Sequence, residues 1–326
     1  MSKLKRFRIM LTGGLGNQLF QLAFALSNSS DRKIILNTSL GAPRTSADGK
    51  VDIAAFELPE HVSFETTRKE SWLLRKVVGY NLRAGVSPGK FENNYTFNFL
   101  LNLISSGLLS LRFGEKIHLI KGYGVGFFSA KIPQKNIFAV GYFQSFRWLN
   151  TEGLKTKIKE LQVLGESEYI SKLRNKSLTD KPLVVHVRLG DYKNEEKIGI
   201  LSKKYYEEAI TTLISTGSFN KIWAFSDEPH DAIEWIPEKY RRMVEWVSKP
   251  MGSPAVTMSE MRLGYGYVIG NSTFSWWGAY MSENPNAPVI APEPWFLGAE
   301  SPVELIPPNW VRLPGWVAIP KADKQG

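Results

Sequence analysis

The sequence predicts an α/β protein with two domains, each built around a doubly wound parallel sheet. Its 326 residues correspond to about two domains of ordinary size. Short apolar runs alternate with amphipathic stretches along most of the chain, and glycine or polar residues follow several of these runs. Alternating strands and helices are typical of parallel sheets that helices cover on both faces.

The first elements follow the order strand, glycine turn, helix, strand, which opens a doubly wound domain. The predicted strands cover residues 7–12, 34–36 and 138–145, and the predicted helices cover residues 19–26 and 152–173. Residues 56–128 mix glycine, proline and apolar patches, so we predict only irregular or helical structure there.

The second half alternates more regularly. Its predicted strands cover residues 183–188, 222–225, 267–269 and 288–291, and its predicted helices cover residues 205–214, 259–263 and 275–281. A polar stretch at residues 175–181 precedes Pro182, which places the domain boundary within residues 150–180. The predicted domains are residues 1–170 and 171–326, and the tail after Pro292 is expected to pack back on the first domain.

Composition excludes several function classes. The chain has no cysteine, which rules out disulfides and thiolate metal sites. No two aspartates lie two residues apart, so the Asp-x-Asp pair by which many sugar-nucleotide enzymes hold a divalent metal is missing, and no metal is expected. The net charge of +10 favours anionic partners. It is spread along the chain without a recognition motif, which argues against nucleic acid. No apolar run of signal-peptide length follows the basic N-terminus, so we expect a cytoplasmic protein.

The first candidate site is the glycine turn, which reads Gly13-Gly14-Leu15-Gly16-Asn17-Gln18. A dinucleotide fingerprint needs a third glycine where Leu19 stands and an acidic residue where Asn37 stands, so an NAD site is disfavoured. The turn is either purely structural or a site at which the Asn17 and Gln18 amides bind hydroxyl groups.

The second candidate site follows the strand over residues 183–188. His186 and Arg188 lie two residues apart and therefore share a face, and Asp191 follows in the loop. The arginine fork can donate two parallel hydrogen bonds to a phosphate. A structural ion pair between Arg188 and Asp191 is the alternative.

Two further strand ends carry polar residues. One opens a helix and reads Asn271-Ser272-Thr273-Phe274-Ser275. Asn, Ser and Thr are frequent helix caps, and a helix start also binds anions, so both interpretations stand. Asp227 follows the strand over residues 222–225 and is a candidate for binding a ribose hydroxyl or a base, or for capping the next helix.

Residues 68–111 allow two interpretations. Between residues 68 and 90 there are six basic residues and one acidic residue, interleaved with Trp72 and other apolar side chains, and residues 93–111 carry no charge. The segment is either a surface that rests on an anionic membrane, at its inner face, or a pair of soluble helices with a core face.

Four blocks together resemble the bacterial α-1,2-fucosyltransferases of glycosyltransferase family 11. They are Gly13-Gly14-Leu15-Gly16-Asn17-Gln18-Leu19-Phe20-Gln21, His186-Val187-Arg188-Leu189-Gly190-Asp191-Tyr192, Phe225-Ser226-Asp227 and Asn271-Ser272-Thr273-Phe274-Ser275-Trp276-Trp277-Gly278. The resemblance implies a GT-B-like fold, in which two Rossmann-like domains face each other across a cleft, the first on the acceptor side and the second binding the donor nucleotide. It also implies inverting, metal-independent transfer of fucose from GDP-fucose to a sugar hydroxyl, α-1,2 to galactose. The acceptor would be an oligosaccharide or a lipid-linked glycan, such as O-antigen.

The resemblance assigns roles to individual residues. It implies that Arg188 meets the β-phosphate, that His186 lies nearer the nucleoside and that Asn17 lies close to the reacting centre. The other donor-binding candidates are Gly14, Gly16, Asp227, Asn271, Ser272, Thr273, Phe274 and Ser275. Asp191 is the candidate proton acceptor, with His186 as the alternative.

One departure concerns guanine. Pro254 stands where family members commonly carry an aspartate, so the residue that reads the base is left open. Two other functions also stay open at this point: a catalytically silent protein that binds nucleotide or glycan, and a glycosyltransferase that uses a different sugar nucleotide.

Overall fold

The computed structural model describes residues 4–29, 32–46, 48–66, 70–86, 95–129, 131–247 and 252–316. The chain divides into two compact units. The first comprises Met1–Glu168, Pro250–Ser259 and Ser301–Pro307, and the second comprises Tyr169–Lys249, Glu260–Glu300 and Pro308–Gly326. Two short segments from the second half of the chain therefore belong to the first unit.

The first unit contains a five-stranded sheet in the order β3-β2-β1-β5-β4, and every neighbouring pair is parallel. Its strands are β1 (Lys5–Met10), β2 (Arg32–Asn37), β3 (Val62–Glu65), β4 (Ile117–Lys121) and β5 (Asn136–Val140). Its helices are α1 (Leu15–Ser27), α2 (Trp72–Val86), α3 (Tyr95–Phe113) and α4 (Leu154–Lys159). The chain places β2 and β3 on one side of β1 and β5 and β4 on the other, so the strand order reverses between β1 and β5. In open α/β sheets a ligand-binding crevice forms at such a reversal point.

Helices bury apolar side chains against this sheet. Phe24 of α1 stacks on Phe143, which follows β5, with ring centroids 3.8 Å apart. Leu74 and Val78 of α2 and Leu109 of α3 join a buried cluster with side chains of β4 and β5. Burying a side chain of this size contributes about 1.5–3 kcal/mol, so these contacts fix α1, α2 and α3 on the sheet.

The second unit contains a six-stranded sheet in the order β11-β10-β9-β6-β7-β8, again parallel throughout. Its strands are β6 (Leu183–Val187), β7 (Ile222–Ser226), β8 (Val244–Trp246), β9 (Gly266–Val268), β10 (Val289–Glu293) and β11 (Val311–Pro314). Its helices are α5 (Ser167–Asp180), α6 (Lys203–Thr216), α7 (Pro229–Ala232) and α9 (Thr273–Tyr280), whereas most of α8 (Pro254–Met261) belongs to the first unit. Counted from β6, this is the strand order of dinucleotide-binding α/β domains, and its reversal point lies between β6 and β9.

The predicted α/β class with two Rossmann-like domains is confirmed, because each unit has its own parallel sheet, and several local predictions are wrong. Residues 56–128 contain two strands, β3 and β4, in addition to helices. The single helix predicted over residues 152–173 is interrupted at Gly165, which adopts a left-handed φ of 76°. The polar stretch at residues 175–181 lies at the end of α5, on which Ile170, Leu173 and Ser177 form a buried stripe.

Candidate active site

The reversal point of the second sheet brings three of the predicted strand ends together. β6 lies between β7 and β9, so His186, Asp227 and Asn271 all stand at the carboxyl ends of adjacent strands or just beyond them. In open parallel sheets this edge is where ligands bind.

Two carboxylates hold the Arg188 guanidinium. Its Nε and Nη2 atoms donate to Asp191 Oδ1 at 3.0 and 2.8 Å. Its Nη1 atom lies 3.3 Å from Asp227 Oδ2. Its Cζ atom lies 5.6 Å from the centre of the Tyr192 ring. The ion pair between Arg188 and Asp191 is therefore present, and it orients the arginine fork that the sequence assigns to phosphate.

Asp227 fixes the backbone of the loop that carries Arg188. Its Oδ1 atom accepts a hydrogen bond from the Leu189 N–H at 3.1 Å. A Cβ at Gly190 would overlap the Asp227 carboxylate, so only glycine fits between the two strand ends. Asp227 does not cap the following helix, because the N-cap residue of α7 is Glu228.

His186 is buried and uncharged. Its residue surface is only 4% exposed, its carbonyl accepts a hydrogen bond from the Tyr206 hydroxyl at 3.0 Å, and its Nδ1 atom has no hydrogen-bond partner among the described residues. Burial, assisted by the positive charge of Arg188 and opposed by Asp227, lowers the pKa of His186 from 6.5 to about 3. A neutral imidazole with so low a pKa is a poor proton acceptor, which weakens its candidacy as the base.

The start of α9 is built as a capped helix terminus. Ser272 is the N-cap residue, and its hydroxyl accepts a hydrogen bond from the Phe274 N–H at 3.3 Å. The Ser275 hydroxyl donates to the Gly270 and Ser272 carbonyls at 3.2 and 3.0 Å. The Asn271 amide donates to the Ile198 and Gly199 carbonyls at 3.1 and 3.0 Å.

These contacts separate the predicted donor-binding residues into two kinds. The polar side chains of Asn271 and Ser275 are buried and hold local backbone, whereas Thr273 and Phe274 are half-buried at the first turn. A helix start carries N–H groups with no partner inside the helix and the positive end of the helix dipole. The capping interpretation is thus confirmed, and it leaves the terminus chemically suited to an anion.

In the first unit, the glycine turn positions Asn17. Gly13 adopts a left-handed φ of 73°, and a Cβ there would overlap Asn17 Nδ2. The Asn17 Oδ1 atom accepts a hydrogen bond from Gln144 Nε2 at 2.9 Å. Gly14 is the N-cap residue of α1, and Gly16 is buried in the first turn of that helix. Gly13 is therefore the glycine of this turn whose backbone conformation requires glycine.

The strained backbone at Phe143 orients the next residue, Gln144, which donates this hydrogen bond. Phe143 has a φ of 56°, a left-handed conformation for a residue with a side chain, which costs about 1–2 kcal/mol. The buried stack of Phe143 on Phe24 offsets that cost. Gln144 was not predicted as a site residue, although it lies in the run predicted as a strand end.

Gln18 and Asp52 complete the support beneath the turn. Gln18 Nε2 donates to the Gly13 and Arg44 carbonyls at 3.0 and 3.1 Å, and its Oε1 accepts from the Ile53 N–H at 2.9 Å. Both the nitrogen and the oxygen of the Gln18 amide are thus hydrogen-bonded to backbone groups. Asp52 is buried beside the Leu15 N–H and the Ser46 hydroxyl, and burial raises its pKa. Nothing in the local sequence around Asp52 signals this role, because its partners lie elsewhere in the chain.

The sequence profile of Glycosyl transferase family 11 matches residues 120–313, more than half of the chain. This chain belongs to glycosyl transferase family 11. The match includes the blocks around Arg188, Asp227 and Ser272 and stops short of the glycine turn. Among the described residues of this family 11 enzyme, no group of three His, Asp or Glu side chains is placed to hold a metal ion.

Two Escherichia coli proteins are similar to this family 11 enzyme over nearly its whole length. An "Alpha-1,2-colitosyltransferase" is 27% identical over 320 residues, which is 93% of this chain and 97% of the relative. The "O-antigen biosynthesis glycosyltransferase WbnK" is 24% identical over 325 residues, 93% of this chain and 99% of the relative. Among solved structures, the fucosyltransferase NodZ from Bradyrhizobium aligns with a TM-score of 0.47 at 14% identity, covering 84% of this chain and 92% of NodZ.

Proposed function

We propose that this family 11 glycosyltransferase transfers fucose from GDP-fucose to a galactose hydroxyl, with α-1,2 linkage, in an O-antigen-type glycan. The observation that carries the proposal is that Arg188 and the start of α9 follow the adjacent strands β6 and β9, at the reversal point of a sheet with the nucleotide-binding strand order. The name of one relative, the "O-antigen biosynthesis glycosyltransferase WbnK", supports a glycan of the O-antigen type.

Colitose is the second candidate sugar. Colitose is fucose without its 3-hydroxyl group, and one of the two relatives is named for its transfer. Both donors carry the same GDP group, so Arg188 and the α9 start would serve either donor equally. A single hydroxyl separates the two donors, and their relative turnover decides between them.

In the proposed mechanism, the bond between the sugar C1 and the β-phosphate oxygen breaks as the acceptor hydroxyl attacks C1 from the opposite face, which inverts the anomeric centre. Negative charge then develops on the diphosphate. The Arg188 guanidinium and the N–H groups at the α9 start are placed to stabilise it, without a metal ion. Each such preorganised group typically contributes on the order of 2.7–4 kcal/mol to the lowering of the barrier.

Asp191 is proposed as the proton acceptor. Its side chain is 42% exposed, so it is accessible to an acceptor hydroxyl, whereas His186 is buried and has a pKa of about 3. A phosphate that binds Arg188 competes with Asp191 for the same N–H donors. Donor binding would therefore release the Asp191 carboxylate as it occupies the guanidinium.

Asn17 is proposed as a sugar-binding residue. The hydrogen bond from Gln144 fixes the orientation of the Asn17 amide, so that the amide can hold a sugar hydroxyl of the donor or the acceptor. Gly14 and Gly16 let the backbone at the start of α1 approach that sugar closely.

The test is a donor screen with purified protein, GDP-fucose, GDP-colitose, GDP-mannose and UDP-galactose, and a β-galactoside acceptor, with the product linkage assigned by NMR. Transfer from GDP-fucose with α-1,2 linkage in excess EDTA supports the proposal, and faster transfer from GDP-colitose would assign colitose as the donor sugar instead. A strict requirement for added Mn²⁺ or Mg²⁺ would refute the metal-independent step. Binding of GDP-sugars without transfer or GDP release would identify a silent binding protein instead.

A further inference from the structure

Helices α2 and α3 turn an apolar face to solvent. Seven large apolar side chains on them are each at least half exposed: Trp72, Leu73, Phe99, Leu100, Leu103, Ile104 and Leu111. We call this set the outer apolar face. On α3, Leu100, Ile104 and Leu111 follow the spacing of one helix stripe, so the exposure is organised and not scattered.

The opposite sides of both helices are firmly attached to the first unit. Leu74, Val78 and Leu109 lie in the buried cluster with β4 and β5. Asn81 Nδ2 donates to the Ser105 hydroxyl at 2.7 Å, and this buried bond joins α2 to α3. The helices therefore have a core face already, and the outer apolar face is a second apolar surface that the fold leaves uncovered.

All charged residues within α2 and α3 are basic. Neither α2 nor α3 contains an aspartate or glutamate, and together they carry four basic residues. Arg75, Lys76 and Arg83 are exposed on α2, and Lys76 Nζ lies 4.2 Å from the centre of the exposed Trp72 ring. A tryptophan beside lysine at the rim of an apolar helix face is typical of contact with the interface of a membrane.

Among the described residues, no helix is both long and apolar enough to cross a bilayer. Glu70, just before α2, pairs with Arg112 of α3, and Arg75, Lys76 and Arg83 are the exposed charges of α2. The occupant that fits apolar side chains flanked by these three basic residues is an anionic lipid surface, because it takes up both. A second copy of this chain would bring two positive faces together, which is unfavourable. We propose that the outer apolar face docks the first unit on an anionic bilayer, with Arg75, Lys76 and Arg83 against lipid phosphates.

The test uses the full-length protein and sedimentation with phosphatidylcholine vesicles, with and without phosphatidylglycerol. We expect binding to the anionic vesicles that weakens with added salt. The triple variant Arg75→Gln, Lys76→Gln, Arg83→Gln should partition on the order of 100-fold more weakly, since each basic residue near an anionic surface strengthens binding about fivefold. The control Lys203→Gln, Lys204→Gln, Lys239→Gln lowers the net charge of +10 by the same three units in the second unit. It should bind almost as the parent does.

A second triple variant tests the apolar contribution. Leu100→Gln, Leu103→Gln, Ile104→Gln should lower binding about tenfold or more. Its control, Leu164→Gln, Leu178→Gln, Leu297→Gln, removes three other exposed leucines and should have little effect. Circular dichroism and turnover with a soluble acceptor report whether each variant folds.

Three results would overturn the proposal. They are no binding of the parent protein to anionic vesicles, equal binding by the triple variants and their controls, and a parent dimer in light scattering that the Leu100, Leu103 and Ile104 changes convert to a monomer without any vesicle binding. The vesicle experiment needs no donor sugar, so its outcome is independent of the proposed transferase activity.

Discussion

Acid should destabilise the second unit through His186, and the magnitude follows from its surroundings. Burial near Arg188 lowers the pKa of this imidazole from 6.5 to about 3 in the folded chain. A lowered folded-state pKa means that the unfolded chain binds the proton first, so stability is complete above pH 6.5 and falls as the pH drops towards 3. At pH 5, the free energy of unfolding should be about 2 kcal/mol lower than at pH 7.5 from this residue alone.

The measurement is urea unfolding, followed by tryptophan fluorescence, at a series of pH values for the parent, His186→Gln and His230→Gln. Fully buried Trp223, Trp276 and Trp277 report on the second unit. The difference between parent and His186→Gln should change by about 2 kcal/mol between pH 7.5 and 5. The exposed control His230→Gln should follow the parent.

Parallel stability curves for the parent and His186→Gln would refute the reasoning. So would an NMR titration in which the His186 ring takes up its proton near pH 6.5, since the argument requires a neutral ring well below that pH.

Three further predictions concern the two candidate sites. Arg188→Ala should lower kcat on the order of 10²–10³-fold in steady-state assays while the circular dichroism spectrum is retained, and near-normal turnover would contradict its assigned role. Gly13→Ala should lose about 1–2 kcal/mol of stability, because it forces a side chain into a left-handed conformation, and should also displace Asn17. The matched Gly14→Ala change meets only an ordinary contact at 3.6 Å, so an equal loss of stability in urea unfolding of both variants would count against this account. Because burial raises the pKa of Asp52, its protonated carboxyl stabilises the fold at low pH, and this stabilisation is lost as the pH rises through the folded-state pKa. Asp52→Asn should therefore flatten this part of the plot of unfolding free energy against pH, and an unchanged plot would exclude the contribution.

The central strands could be predicted from the sequence because both of their faces are buried. β1, β5, β6 and β7 are buried along most of their lengths and read as short apolar runs. Three strands lie at sheet edges: β3, β8 and β11. Their positions are half-buried or exposed in no regular order, so their sequences show no apolar pattern that would predict a strand. The break at Gly165 was hidden because helical periodicity resumes on its far side.

For the candidate site, the sequence indicated residues that follow strands and not those that support them. Arg188 and Ser272 could be located because a parallel sheet gathers the carboxyl ends of its strands at one edge. Asp52 and Gln144 act on the glycine turn across 35 or more positions of sequence: Gln144 bonds Asn17 directly, and Asp52 lies beside the Leu15 N–H. Such partners are set by the folded chain, and periodicity along the sequence carries no information about them.

The segment Ser301–Pro307 belongs to the first unit and has a consequence for synthesis on the ribosome. The Val303 carbonyl accepts a hydrogen bond from the Phe127 N–H at 2.9 Å, and the Glu304 carbonyl accepts from the Ser145 hydroxyl at 2.8 Å. The N-terminal unit must therefore wait for about 130 residues of later chain before these bonds can form, which takes roughly 7–27 s at elongation rates of about 5–20 residues per second. During that interval the Phe127 N–H and the Ser145 hydroxyl of the nascent chain lack these hydrogen-bond partners, and a chaperone that binds emerging polypeptides would have time to act.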